Sequence, residues 1–233
     1  MPTTSSVAHR LRRYTAGAAL ILFPALLVGQ ALIDPAAGGT GEVMYTAATE
    51  HREALTASAL LLLVSGLLMV PAVMGILHQA RDRGAGLANL GAVLGVLGGF
   101  GHAAIAFFYI LSLALAGGDR AEMVAYIERF NASPALAAVA FPLILCFGLG
   151  VLALPWAAWR AGFIGWWGPA VATTAVLIHF ALPVAIIAVE VVALVAVTAV
   201  FGHLGLRVLR MTDAEWGGVP GAAAAPVPVR TTT

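Results

Sequence analysis

The chain is a series of long apolar runs separated by short polar punctuation, and the lengths of those runs set the first expectation. A hydrocarbon layer of about 30 Å takes about 20 helical residues at 1.5 Å each. Uncharged runs of that order cover residues 14–33, 54–77, 87–116 and 134–156. A fifth run, 162–206, is broken only by Glu190. Its roughly 45 residues amount to about 70 Å of helix, too much for one crossing even with strong tilt. The natural division is "HFALP" at residues 179–183, since Pro183 cannot continue the hydrogen bonding of one helix but suits the first turn of the next. The spans are then 162–181 and 183–206, and the expected architecture is all-α, a polytopic transmembrane bundle of six helices within residues 9–211.

Composition and charge sharpen this picture. The 233 residues are 61% hydrophobic and 10% charged, against about 25% charged in an ordinary soluble domain. So much apolar surface requires lipid as its solvent. All twelve basic residues are Arg, and their small groups form no stripe of the kind that binds nucleic acid. With six spans, Arg10, Arg12, Arg13, Arg81, Arg83, Arg160, Arg207 and Arg210 all fall on one side, which the retention of basic loops makes cytoplasmic. Both termini are then cytoplasmic and the setting is a bacterial cytoplasmic membrane. Trp156, Trp159, Trp166 and Trp167 flank Arg160 as an interfacial aromatic belt. The opposite loops, 34–53 and 117–133, are longer and more acidic. The second should contain a surface helix: Asp119 and Glu122 have capping-box spacing, and Met123, Ile127 and Phe130 share a face. Residues 1–8 and the Pro/Gly/Ala-rich stretch within 212–233 have nothing to pack and are expected to be disordered. A cleaved signal peptide fits poorly, because the first apolar run is too long for one. "NAS" at Asn131 is a glycosylation sequon by pattern.

Packing and chemistry converge on the third span. Gly91, Gly95 and Gly98 lie on one helical face with His102 and Tyr109, a small-residue seam that lets a neighbour approach closely. Counting from the cytoplasmic arginines puts His102, His179 and Glu190 about 26 to 28 Å deep, in the outer leaflet below a mouth formed by Glu50, His51 and Glu53. Glu190 is the one charged side chain that must lie in hydrocarbon, where a lone carboxylate has to be neutral, paired or hydrated. The first reading is a structural or accessory bundle in which Glu190 fastens helices together. The alternatives are a small proton- or cation-coupled transporter using Glu190 with His102 and His179, or a protein binding a transition metal or haem through those groups. No cofactor is required by any motif. Cys146, the single cysteine, reads as a small buried hydrophobe. No metalloprotease, nucleophile-elbow or Walker pattern occurs, so an enzyme is not the expected class. The partners expected are the bilayer itself and a second copy of the chain or another membrane protein.

The stretch "LMVPAVMGILHQARDRGAGLANLGAVLGVLGGFGH", followed by "RAEMVAYIERFNASPAL", resembles a loose group of small, uncharacterised bacterial polytopic membrane proteins. The resemblance covers roughly the second to fourth spans. It implies six helices and no particular activity, and no functional residue carries over from it.

Overall fold

The structure, a computed structural model, describes residues 4–37, 39–181 and 187–217. Among them every regular element is helical: α1 (Thr4–Ile33), α2 (Gly41–Glu50), α3 (Arg52–Gln79), α4 (Ala85–Leu115), α5 (Arg120–Asn131), α6 (Pro134–Arg160), α7 (Trp167–Ala181), α8 (Ile187–Arg210) and α9 (Asp213–Gly217). The helices α1, α3, α4, α6 and α8 are each long and apolar enough to cross a membrane. Large side chains such as Leu67, Met74, Phe100, Phe107, Phe141 and Val192 project outward from them, as they should where the surrounding solvent is hydrocarbon.

Neighbour relations make the bundle a ring. α1 packs between α3 and α8, α4 lies beyond α3, α6 beyond α4, and α7 bridges α6 and α8. Directions follow from individual contacts. The N-terminal half of α1 meets the C-terminal ends of α3 and α8, through Ala16 against Gly75 and Gly17 against Gly205 and Leu209. The start of α4 at Gly84 meets the end of α6 at Ala157 and Arg160. α3, α6 and α8 therefore all run toward the end of the bundle where α1 begins, here called the terminal end.

Contact between helices is closest where glycine opposes glycine. A Cβ on Gly66 of α3 would stand 2.6 Å from the Gly99 carbonyl oxygen of α4, and one on Gly99 2.8 Å from that of Gly66. Gly150 of α6 meets the Gly95 amide of α4 at 2.6 Å by the same measure, and Gly205 of α8 meets the Gly17 carbonyl of α1 at 2.6 Å. With no apolar driving force between helices in lipid, such backbone approach is what holds them together. The expected seam of Gly91, Gly95 and Gly98 faces α6 at Leu154 and Phe147, with Gly95 also against Val73 of α3. Ser65 adds a buried hydrogen bond from α3 to the Phe23 carbonyl of α1 at 2.8 Å.

Several boundaries differ from the sequence expectation. The helix assigned to 162–181 begins at Trp167, because Gly162 at φ +74° ends α6. Phe163 donates its amide to the Ala158 carbonyl and Gly162 its amide to that of Trp159, a Schellman arrangement that turns the chain away. The Arg207 guanidinium of α8 then donates to the Phe163 carbonyl and lies 4.6 Å from that ring, pinning the loop. Pro183, the expected turn, lies outside the described residues. At the N-terminus α1 starts at Thr4, inside the stretch taken for a tail; residues 1–3 lie outside the description. At the other terminus α9 is ordered, with Trp216 buried, and only 218–233 of the expected tail are undescribed. Thr212 and Glu215 supply the capping box that forms α9: Thr212 donates its amide and hydroxyl to Glu215 Oε2 at 2.7 and 2.9 Å, and accepts from the Glu215 amide at 3.2 Å.

The expected surface helix is present as α5, with Asp119 capping the Glu122 amide at 3.0 Å and Met123 and Ile127 buried. It packs on α2, which the sequence pattern left inside a loop. Gly41 donates to Glu128 Oε1 at 2.6 Å, Arg120 pairs with Glu42 at 2.7 Å, and Asn131, the sequon asparagine, donates to the Gly39 carbonyl at 2.8 Å. Together α2 and α5 cap the bundle opposite its terminal end. Beneath them a second core forms around Leu27, Leu55, Ala106, Tyr109, Leu113 and Met44.

Candidate functional site

The polar groups of the bundle interior gather under this cap, carried by the C-terminal half of α4, the end of α1, the end of α7 and the start of α8. Tyr109, buried among apolar neighbours, donates its hydroxyl to Asp34 Oδ2 at 2.8 Å. Asp34 stands just past the last residue of α1, and Gln30, one turn earlier, donates to the same oxygen at 2.8 Å. The other oxygen accepts from the Ala36 amide at 2.9 Å. Glu190, half-buried in the first turn of α8, lies within electrostatic range of Tyr109, as does Asp34.

Seven residues deeper on α4, about 10 Å along its axis, His102 sits between α3 and α6. Its ring meets Phe147 edge-on with centroids 4.3 Å apart. Its Nδ1 is buried and has no hydrogen-bond partner. His179 on α7 lies within electrostatic range of it. Of the three residues singled out in the sequence, His102 and His179 lie within electrostatic range of each other, and Glu190 lies within range of Tyr109. Asp34 was assigned to a loop and Tyr109 to a packing face, so their bond was not anticipated. The signal that could have found it is an acid one residue beyond a span whose last turn also carries an amide.

Glu50, His51 and Glu53, expected to line a mouth, lie exposed at the junction of α2 and α3, where His51 ends one helix and precedes the next. Arg52 between them reaches the Leu113 carbonyl at 3.4 Å, so this segment ties α3 to the end of α4. Outside the bundle, the Glu42 carboxylate raises the Arg120 guanidinium further above its ordinary value, chiefly through their hydrogen bond. Among the described residues no group of three His, Cys, Asp or Glu side chains could hold a metal ion. Cys146 is a free thiol, half-buried in α6.

The terminal end carries a separate set of polar contacts. Arg13 is buried, donating to Asp213 at 3.1 Å and to the Leu209 carbonyl at 3.3 Å. His78, expected as an ordinary surface residue, stacks on Trp216 with centroids 4.2 Å apart and bonds its carbonyl through Nε2 at 2.6 Å.

No protein-family model, curated protein or solved structure matches this chain.

Proposed function

We propose that this chain crosses a bacterial cytoplasmic membrane six times with both termini on the cytoplasmic side, and that the groups under its outer cap take up and release protons that move through the membrane. Six crossings are supported by helix direction. α6 and α8 both run toward the terminal end, so the chain has to return across the bundle between them, and α7 lies in that interval. The basic residues at that end, Arg10, Arg12, Arg13, Arg83, Arg160, Arg207 and Arg210, support a cytoplasmic assignment.

The observation that carries the proton reading is His102 Nδ1, buried without a hydrogen-bond partner and within electrostatic range of a second imidazole. Leaving such an atom unsatisfied costs about 1–3 kcal/mol, and polar groups inside a membrane that packing does not explain mark ion and proton paths. Glu190, Asp34 and Tyr109 extend the titratable set toward the outer face. A structural reading, in which the cluster only fastens helices, is favoured at one point: Asp34 is fully engaged by Tyr109, Gln30 and Ala36.

Proteoliposomes with an internal pH-sensitive dye separate the two. Under an imposed potential, the wild-type chain should acidify the lumen faster than empty liposomes, and His102→Gln and Glu190→Gln should each slow this by about tenfold or more at unchanged thermal stability. If the wild type conducts no better than lipid alone, and the variants change only the melting temperature, the structural reading stands instead.

A further inference from the structure

We infer that the terminal end of the bundle holds a site for the headgroup of an anionic phospholipid, in the groove between the start of α4 and the end of α6. This rests on the chain being embedded in a bilayer and is independent of proton handling under the cap. The groove, about 690 Å³, is lined by Arg83, Leu87, Trp156, Trp159 and Arg160. An adjoining hollow of about 490 Å³ shares Arg83, Leu87 and Arg160 and runs beneath the first turn of α4.

Charge identifies the occupant. Arg83 and Arg160 are both exposed, and neither has an acidic partner among the described residues; the nearby Asp82 pairs with Arg81 at 3.8 Å. Two guanidiniums converging on one hollow match the paired oxygens of a phosphate. The backbone favours the same sign of ligand. Gly84, at φ +87°, precedes α4 without any side-chain cap for its first amides, and a positive helix terminus lies at that point. Opposing carbonyls are already occupied: those of Ala157, Ala158 and Trp159 accept the amides of Ala161, Phe163 and Gly162.

The aromatic rim distinguishes a lipid from a free anion. Trp156 and Trp159 stand edge-to-face at 5.5 Å on the lip of the groove, and Trp156 Nε1 donates to Thr173 at 3.1 Å, fixing its ring. Tryptophans so placed sit at headgroup level. From Leu87 the outward face of α4 continues through Leu90, Val93 and Leu97, all exposed, as a bed for an acyl chain. A phosphate between the arginines with its chain along α4 uses every one of these features.

The test is a titration of the full-length chain in neutral detergent, read by melting temperature and by native mass spectrometry. The probes are phosphatidylglycerol, phosphatidylcholine and inorganic phosphate. Phosphatidylglycerol should raise the melting temperature and remain bound as a discrete adduct, with phosphatidylcholine and phosphate without effect. Arg83→Gln/Arg160→Gln should weaken that binding by about thirtyfold, two charges at about five- to sixfold each. Arg12→Gln/Arg210→Gln, which removes equal charge from exposed positions at the same end, should leave it unchanged. Equal stabilisation by phosphatidylcholine, equal loss in both double variants, or an effect of inorganic phosphate matching that of the lipid would each overturn the assignment.

Discussion

Tyr109 and Asp34 are 75 residues apart in the chain and 2.8 Å apart in the fold, and their hydrogen bond fastens the end of α1 to α4 beneath the cap. Removing the phenolic oxygen leaves Asp34 with its Gln30 and Ala36 donors, so the loss should be one bond and not a stranded carboxyl. Tyr109→Phe is expected to lower stability by about 1–2 kcal/mol, at the upper range for polar contacts between membrane helices. Unfolding in mixed micelles measures it. A variant as stable as wild type would show that the bond does not hold the two helices together.

The glycine contacts predict opposite signs for the same substitution. Gly99→Ala puts a methyl carbon 2.8 Å from the Gly66 carbonyl oxygen, and α3 and α4 must separate to admit it, costing about 1–3 kcal/mol. Gly202, in the middle of α8, has open space where its Cβ would go. Gly202→Ala should stabilise by up to about 1 kcal/mol through helix propensity alone. Melting curves of the two variants side by side check the prediction, which fails if both shift in one direction.

How much of this fold could be read from the chain depends on whether the cause was local. Long uncharged runs located α1, α3, α4 and α6, because the thickness of hydrocarbon fixes their length. The Asp119 and Glu122 spacing located α5, because a capping box is complete within four residues. The same device at Thr212 and Glu215 was legible too, yet the following "GGVPGAAAAPVP" suggested a tail throughout. α2 was hidden because its ten residues carry no long apolar run and pack on α5, α3 and α4, with Gly41 bonded to Glu128 and Glu42 to Arg120. For the candidate site, equal counts of nineteen residues from Arg83 to His102 and from Arg160 to His179 suggest a common depth, but residues 161–166 are a loop and α7 begins at Trp167, so the second count overstates the climb. Depth gives no rotation about a helix axis, so it could not say that Tyr109 comes within range of Glu190. The Asp34 bond depends on which helices are neighbours, and no periodicity encodes that.

Docking of α9 should depend on pH through Glu215. Its carboxyl is held below the ordinary value of 4.5, first by the Thr212 amide and then by the Thr212 hydroxyl. A depressed folded value means that the stabilisation is complete above the unfolded value and disappears as pH falls through the folded one. Protection of the amides in residues 213–217, taken relative to their intrinsic exchange at each pH, should therefore be high at neutral pH and fall below about pH 4.5, while the core of α1 stays protected. Glu215→Gln should exchange faster at neutral pH and show a flatter response to acid. An acid response identical in that variant would assign the effect to another group.

The number of crossings is decided by where the end of α8 emerges. The described part of α7 has 15 residues, about 22 Å of helix, and is shorter than the hydrocarbon layer by itself. α8 is long enough, and Arg207 at its far end holds the loop that follows α6. If α7 and the residues after it cross, Arg210 lies on the same side as Asp82; if they do not, the contact between Arg207 and Phe163 could not form across a bilayer. With Cys146 replaced by Ala, single cysteines at Asp82, Asp119 and Arg210 report the arrangement. An impermeant maleimide applied to intact cells should label Asp119→Cys, and should reach Asp82→Cys and Arg210→Cys only after permeabilisation. Labelling of Arg210→Cys in intact cells, with Asp82→Cys protected, would leave an odd number of crossings and remove the shared depth on which the cluster of His102, His179 and Glu190 depends.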